Sequence, residues 1–144
     1  MICHDIYLPR YDWRVTVFYS VTCYYLYEIM DALRAIGVDR HSLAKAHKNI
    51  SSCQLDNGLT YSNHENRMSV MVIGMASSSD EYAKSIAHES QHLIKHITKS
   101  LGLDPYGEEI CYIAGDIGAA IHHHAKELYC DDCLEHLKRA LNHN

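Results

Sequence analysis

The stretch Ser85–Ile97, "SIAHESQHLIKHI", decides how this chain is read. It sets histidines at 88, 92 and 96, with Glu89 directly after the first. On a helix, side chains four apart share one face about a turn apart. His88 and His92 can therefore grip one metal ion. Glu89 falls to the side, where its carboxylate reaches a metal-held water more easily than the metal. Zinc lowers the pKa of such a water to about 7, so a neighbouring carboxylate can take its proton. The competing reading is a solvated helix face. Tyr82, Ile86, Leu93, Ile97 and Leu101 make an apolar stripe, and the histidines lie nearly opposite it. The functional reading thus requires another element to cover the histidine face and complete the ligand set.

Working outward, the helix is expected from about Ser79 to Leu101. Ser78 with Glu81 three residues on resembles a capping box, and Gly102 and Pro105 stop the helix. Before it, "RMSVMVIGM" (Arg67–Met75) reads as a strand, and Asn57-Gly58 as a hairpin turn. Asp12–Ser20 alternates, with Trp13, Val15, Val17 and Tyr19 on one face, and reads as the first strand. Tyr25, Ile29, Leu33 and Ile36 line the helix that follows, which Gly37 can end. "HSLAKAHKN" reads as a short second helix. After "LDPYG", a long helix is expected from near Glu108 to roughly Leu128. The order predicts an α+β domain over 1–128: a small, mostly antiparallel sheet with helices packed mainly on one face. Residues 129–144 read as a helical extension or tail.

The last helix offers the third ligand. Ile110, Ile113, Ile117 and Ile121 form its apolar stripe. Glu108 heads a second stripe with Cys111, Gly115, Gly118 and His122, whose small middle lets another helix approach. Two glycines inside a helix cost about 1 kcal/mol each against alanine, so a packing reason is expected. Glu108 is therefore taken as the third ligand, with Glu109, on the face of Asp116 and His123, as its rival. Strictly antiparallel helices would put Asp116, not Glu108, level with His92, so the assignment needs an appreciable crossing angle. Asp116 and His122–His124 stay open as ligands. His96 is about 12 Å along the helix from His88 and reads as a supporting or surface residue.

The residues "HESQH" and "EEIC" together resemble the gluzincin class of zinc metallopeptidases, a zincin-like fold. That resemblance implies a Zn²⁺ site of His88, His92 and Glu108, with Cys111 as the small residue three positions later. Glu89 is then the general base for hydrolysis of a peptide or protein substrate. It also implies that Arg67–Met75 is an edge strand that pairs with an extended substrate. Tyr106, Tyr112 and His122–His124 are candidates for steadying an oxyanion. The alternative is a zincin-like metal-binding or structural protein without turnover. Two histidines and a carboxylate also suit Fe(II).

Bulk properties narrow the rest. The chain has 144 residues, is 47% hydrophobic and carries a net charge of -5, which supports one packed domain and argues against nucleic acid as partner. No signal peptide or membrane span is visible, so a cytoplasmic location is expected. On that expectation the six cysteines read as reduced thiols. Cys130 and Cys133 have C-x-x-C spacing and, with His124 and His136, could hold a second zinc. The tyrosine-rich patch at 18–28 reads as core and interface. A di-iron carboxylate bundle needs a second E-x-x-H, and none is present.

Overall fold

The computed structural model describes residues 1–55 and 58–125, together with Arg139 and Asn142, which are helical. Strands are β1 (Ile2–Leu8), β2 (Trp13–Val21), β3 (Gly58–Asn63) and β4 (Met68–Gly74). Helices are α1 (Leu26–Ala35), α2 (Arg40–Ser51), α3 (Ser79–Leu101) and α4 (Glu108–Ala125). Asn57, Cys130, Cys133, His136 and the expected end of the last helix at Leu128 lie outside the described residues.

The strands form one mixed sheet in the order β1-β2-β4-β3. β1 pairs antiparallel with β2, β2 parallel with β4, and β3 antiparallel with β4. The fold is α+β, as expected, but the helices cover both faces of the sheet. Trp13, Val15, Val17, Tyr19, Met71 and Ile73 pack under α3 and α4. Phe18, Val21, Leu59, Val70 and Val72 pack under α1 and α2. The cause is the apolar run in β4. A strand apolar on alternate positions both ways must be covered on both sides. A bulge in β2 assists: the register with β4 shifts between Phe18 and Val21, and Ser20 adopts a φ of 57°. The extra residue turns Val21 back to the α1–α2 face that Phe18 already occupies.

Two strand expectations change. The first strand is β1, not β2; Ile6 and Leu8 bury one face of it, and Pro9–Asp12 turn the chain back. The β3–β4 hairpin turns at residues 64–67, where Asn63 Oδ1 accepts from the amides of Glu65 and Asn66. β4 is therefore internal, with β2 on one side and β3 on the other, and cannot serve as the edge strand. That position belongs to β3.

The ends of α3 follow local chemistry. Ser78 Oγ accepts from the Glu81 amide at 3.2 Å, and Glu81 turns back to the Ser77 amide at 2.9 Å. Gly102 ends the helix at a φ of 63°, the left-handed conformation that glycine takes without a Cβ clash.

Cys23 and Cys53 are joined by a disulfide, against the expected reduced thiols; Cys3 and Cys111 are free. The bond ties the turn before α1 to the turn after α2 across 30 residues. A cross-link closing a loop of that length is worth roughly 3.6 kcal/mol. Cys23→Ser is thus expected to lower unfolding free energy in urea by about that amount.

Candidate metal site

α3 lies over β3 and β4, and α4 stands beside it towards β1. The face of α3 turned to α4 carries Ala83, Ala87, Ser90, Gln91 and Ile94. The face turned to β3 carries Glu89, His92 and His96. β3 therefore supplies the cover that the histidine face required, and it does so with hydroxyls. Thr60 Oγ1 donates to Glu89 Oε1 at 2.9 Å, and Ser62 Oγ lies 2.7 Å from His96 Nδ1. Alternation along β3 aims Leu59 and Tyr61 at the α1–α2 side instead.

Glu89 is 2% exposed, whereas His88 and His92 are exposed beside it. The ligand atoms of these three residues lie within 4.8 Å of one another, and the two imidazole rings are 5.1 Å apart. Glu89 Oε2 faces His88 Nε2 at 3.9 Å. Two nitrogens on a tetrahedral zinc stand roughly 3.3 Å apart, given Zn–N of about 2.0–2.1 Å. Both imidazoles are exposed, and His88, Glu89 and His92 together could hold a metal ion. Gly58–Tyr61 of β3 and the three α3 residues enclose a cleft of about 240 Å³.

Glu108 does not join them. It is exposed on the first turn of α4, and among the described residues the converging group is His88, Glu89 and His92. The reason is the level at which the helices meet. Residues 114–122 of α4 line a groove with 83–94 of α3, whereas Ile110 lines one with Ile94, Thr98 and Leu103, so the two run antiparallel and Glu108 lies beyond His92. The other candidates also lie elsewhere. Glu109 accepts from Tyr11 Oη at 3.3 Å, and Asp116 stands 3.8 Å from Arg10. His122 lines the α3–α4 groove, and His124 stacks on His4 at 3.6 Å. Arg10 sits over Tyr112, and Tyr106 is exposed. Nor do Gly115 and Gly118 admit a close helix: a Cβ at either would meet nothing within 4 Å. Sequence reasoning missed Thr60 and Gly58. Their signal was position: they stand on the alternate face of the strand that became the edge.

Comparison with protein-family models, with curated proteins and with solved structures finds no match for this chain.

Two outcomes test this geometry. A Cβ on Gly58 would fall 1.8 Å from the Val72 carbonyl oxygen and 3.2 Å from Glu89 Cγ. Gly58→Ala should displace β3 from Glu89 and reduce metal affinity, read by isothermal titration with Zn²⁺. His96 is pushed down to about 4, chiefly by burial and then by the positive charge of His64, His92 and Lys99. An unfolded histidine titrates near 6.5, so the stability gained from a neutral His96 is full above that pH and lost as pH falls towards 4. Wild type should lose about 2 kcal/mol more than His96→Asn between pH 7 and pH 4, measured by urea unfolding.

Proposed function

We propose that this chain binds a zinc ion through His88 and His92 and uses it to hydrolyse peptide bonds. The observation that carries this reading is the convergence of two exposed imidazoles on a buried carboxylate beside an open sheet edge. Zinc, when bound there, supplies an acidified water and polarises the scissile carbonyl. The rest falls to the chain. Thr60 occupies Glu89 Oε1 and leaves Oε2 on the histidine side. Oε2 takes the proton of the attacking water and returns it to the departing amine. The edge of β3 offers backbone groups to an extended peptide, which would run past Glu89 along the cleft. His88 and His92 would hold the ion, with the remaining positions open to water or substrate.

A second reading has an observation of its own. Glu108 stands apart from the histidines, which leaves the described residues with no third ligand from another element. Such a site suits reversible metal binding without turnover.

The two readings separate in tag-free protein. Binding of zinc near one equivalent, lost by at least tenfold in His88→Ala, is expected of both. Only the hydrolase loses cleavage of a mixed peptide library in Glu89→Gln while keeping its zinc. Glu108→Ala should hold zinc as wild type does; a tenfold loss there would restore Glu108 to the ligand set.

A further inference from the structure

The solvent flank of α3 carries a charge pattern around the histidine pair. Lys84, His88, His92, Lys95 and Lys99 recur at helical spacing, so each stands one turn from the next. At about 100° per residue they fall within an arc of about 80°. The adjoining face holds Glu89, His96 and Ser100, which meet Thr60, Ser62 and His64. The charged flank therefore lies towards the free edge of β3. All three lysines are exposed, and among the described residues none of them enters an ion pair, with Glu65 of the β3–β4 hairpin or with any other acid. The one acid on the same arc, Glu81, is committed to the amide and hydroxyl of Ser77. β3 itself, Gly58–Asn63, has no charged side chain. A chain of net charge -5 thus sets three unpaired positive groups around His88 and His92.

These lysines do not serve a cation. Like charge one turn from each histidine opposes metal binding, and a surface built only to capture a metal gains from acids there. They suit an anion. Lys95 and Lys99 also border the groove of Leu103 and Ile110 on the far side of the ridge, so they stand on its crest and not in the cleft. What they offer the cleft is attraction over several ångströms, which raises the local concentration of an oppositely charged partner without contact. Helix rise sets the reach. Lys84 lies about 9 Å and Lys95 about 7.5 Å along α3 from the midpoint of the histidine pair. An extended chain advances about 3.4 Å per residue, so each of these lysines stands about two to three residues from a group held at the pair. The partner is a peptide and not a nucleic acid, because β3 leaves one edge without a strand partner. Another peptide backbone can complete that edge with amide hydrogen bonds, and a phosphate backbone cannot. The acid excess of the rest of the chain also repels a long polyanion.

We propose that the lysine ridge of α3 makes the cleft selective for acidic peptides: an extended segment added to β3, with Asp or Glu side chains about two to three residues to either side of the metal-held group. This rests on the zinc-site reading for the position of that group, and its test is read apart from zinc. Two fluorescein-labelled decapeptides are compared by anisotropy on the full, tag-free chain, one with Asp on either side of its centre and one with Asn at the same positions. Metal-free protein should already prefer the Asp peptide by about fivefold in low salt, and the preference should shrink as salt is raised. Lys84→Gln together with Lys95→Gln should remove most of that preference, whereas Lys45→Gln with Lys48→Gln, exposed on α2, should leave it unchanged. Equal affinity for the two peptides, or an equal loss from the α2 pair, overturns the proposal and leaves the zinc site standing. Tighter binding of oligothymidylate than of the Asp peptide makes the partner a nucleic acid and overturns it as well. Zinc titration separates the readings. The Lys84→Gln, Lys95→Gln protein should hold zinc at least as tightly as wild type, and a weaker grip would give the lysines a structural role and overturn the one assigned. A wild type that binds no zinc removes the hydrolase, and the peptide comparison then decides the ridge by itself.

Discussion

The arrangement hangs on one hydrogen bond: Thr60 of β3 holding the buried carboxylate of Glu89 against α3. A carboxylate is expensive to remove from water unless something donates to it. Here the donor comes from an edge strand, so the cost of burying Glu89 is met by the same element that walls the cleft. If β3 were to shift, Glu89 would lose its partner and His96 would lose Ser62. The two polar contacts lie two residues apart on β3 and seven apart on α3, which locks strand register to helix rotation.

That seam also explains why the histidine row is divided in its roles. His88 and His92 line the cleft beside β3, make no hydrogen bond to it among the described residues, and stay exposed. His96 is drawn into the seam by Ser62. Four-residue periodicity places three identical side chains on one helix face; what the sheet puts opposite each of them makes them chemically different.

Much of the fold was legible. α3 announced both of its ends, through Ser78 with Glu81 and through Gly102, because capping is a local event. β2, β4 and α1 were likewise readable from period. The two-sided covering of the sheet was harder, since an apolar run such as "VMVIG" looks alike whether one face or both are buried. β1 was obscured by its polar alternate positions, and its pairing with β2 depends on a turn at Pro9–Asp12 that carries no strong dipeptide signal. In the site, His88, Glu89 and His92 were visible because their proximity is set by one helix. Glu108 depended on the level at which two helices cross, which no spacing within either helix encodes. Thr60 was invisible for a related reason: it matters only because β3 became the edge next to α3. No helix among the described residues is long and apolar enough to cross a membrane, in line with the reading of the chain's apolar runs.

The parallel pairing of β2 with β4 has a kinetic side. It matches Arg14 with Met68, so the central contact of the sheet waits on an excursion of more than fifty residues through α1, α2 and β3. Non-local pairings of this kind slow folding, because chain entropy is surrendered before the contact returns anything. The Cys23–Cys53 bond spans most of that excursion. In the oxidised chain the search is short-circuited: β2 and the strands that follow α2 are held near each other before the sheet exists, and the helical pair can serve as a preassembled clasp on which the sheet closes.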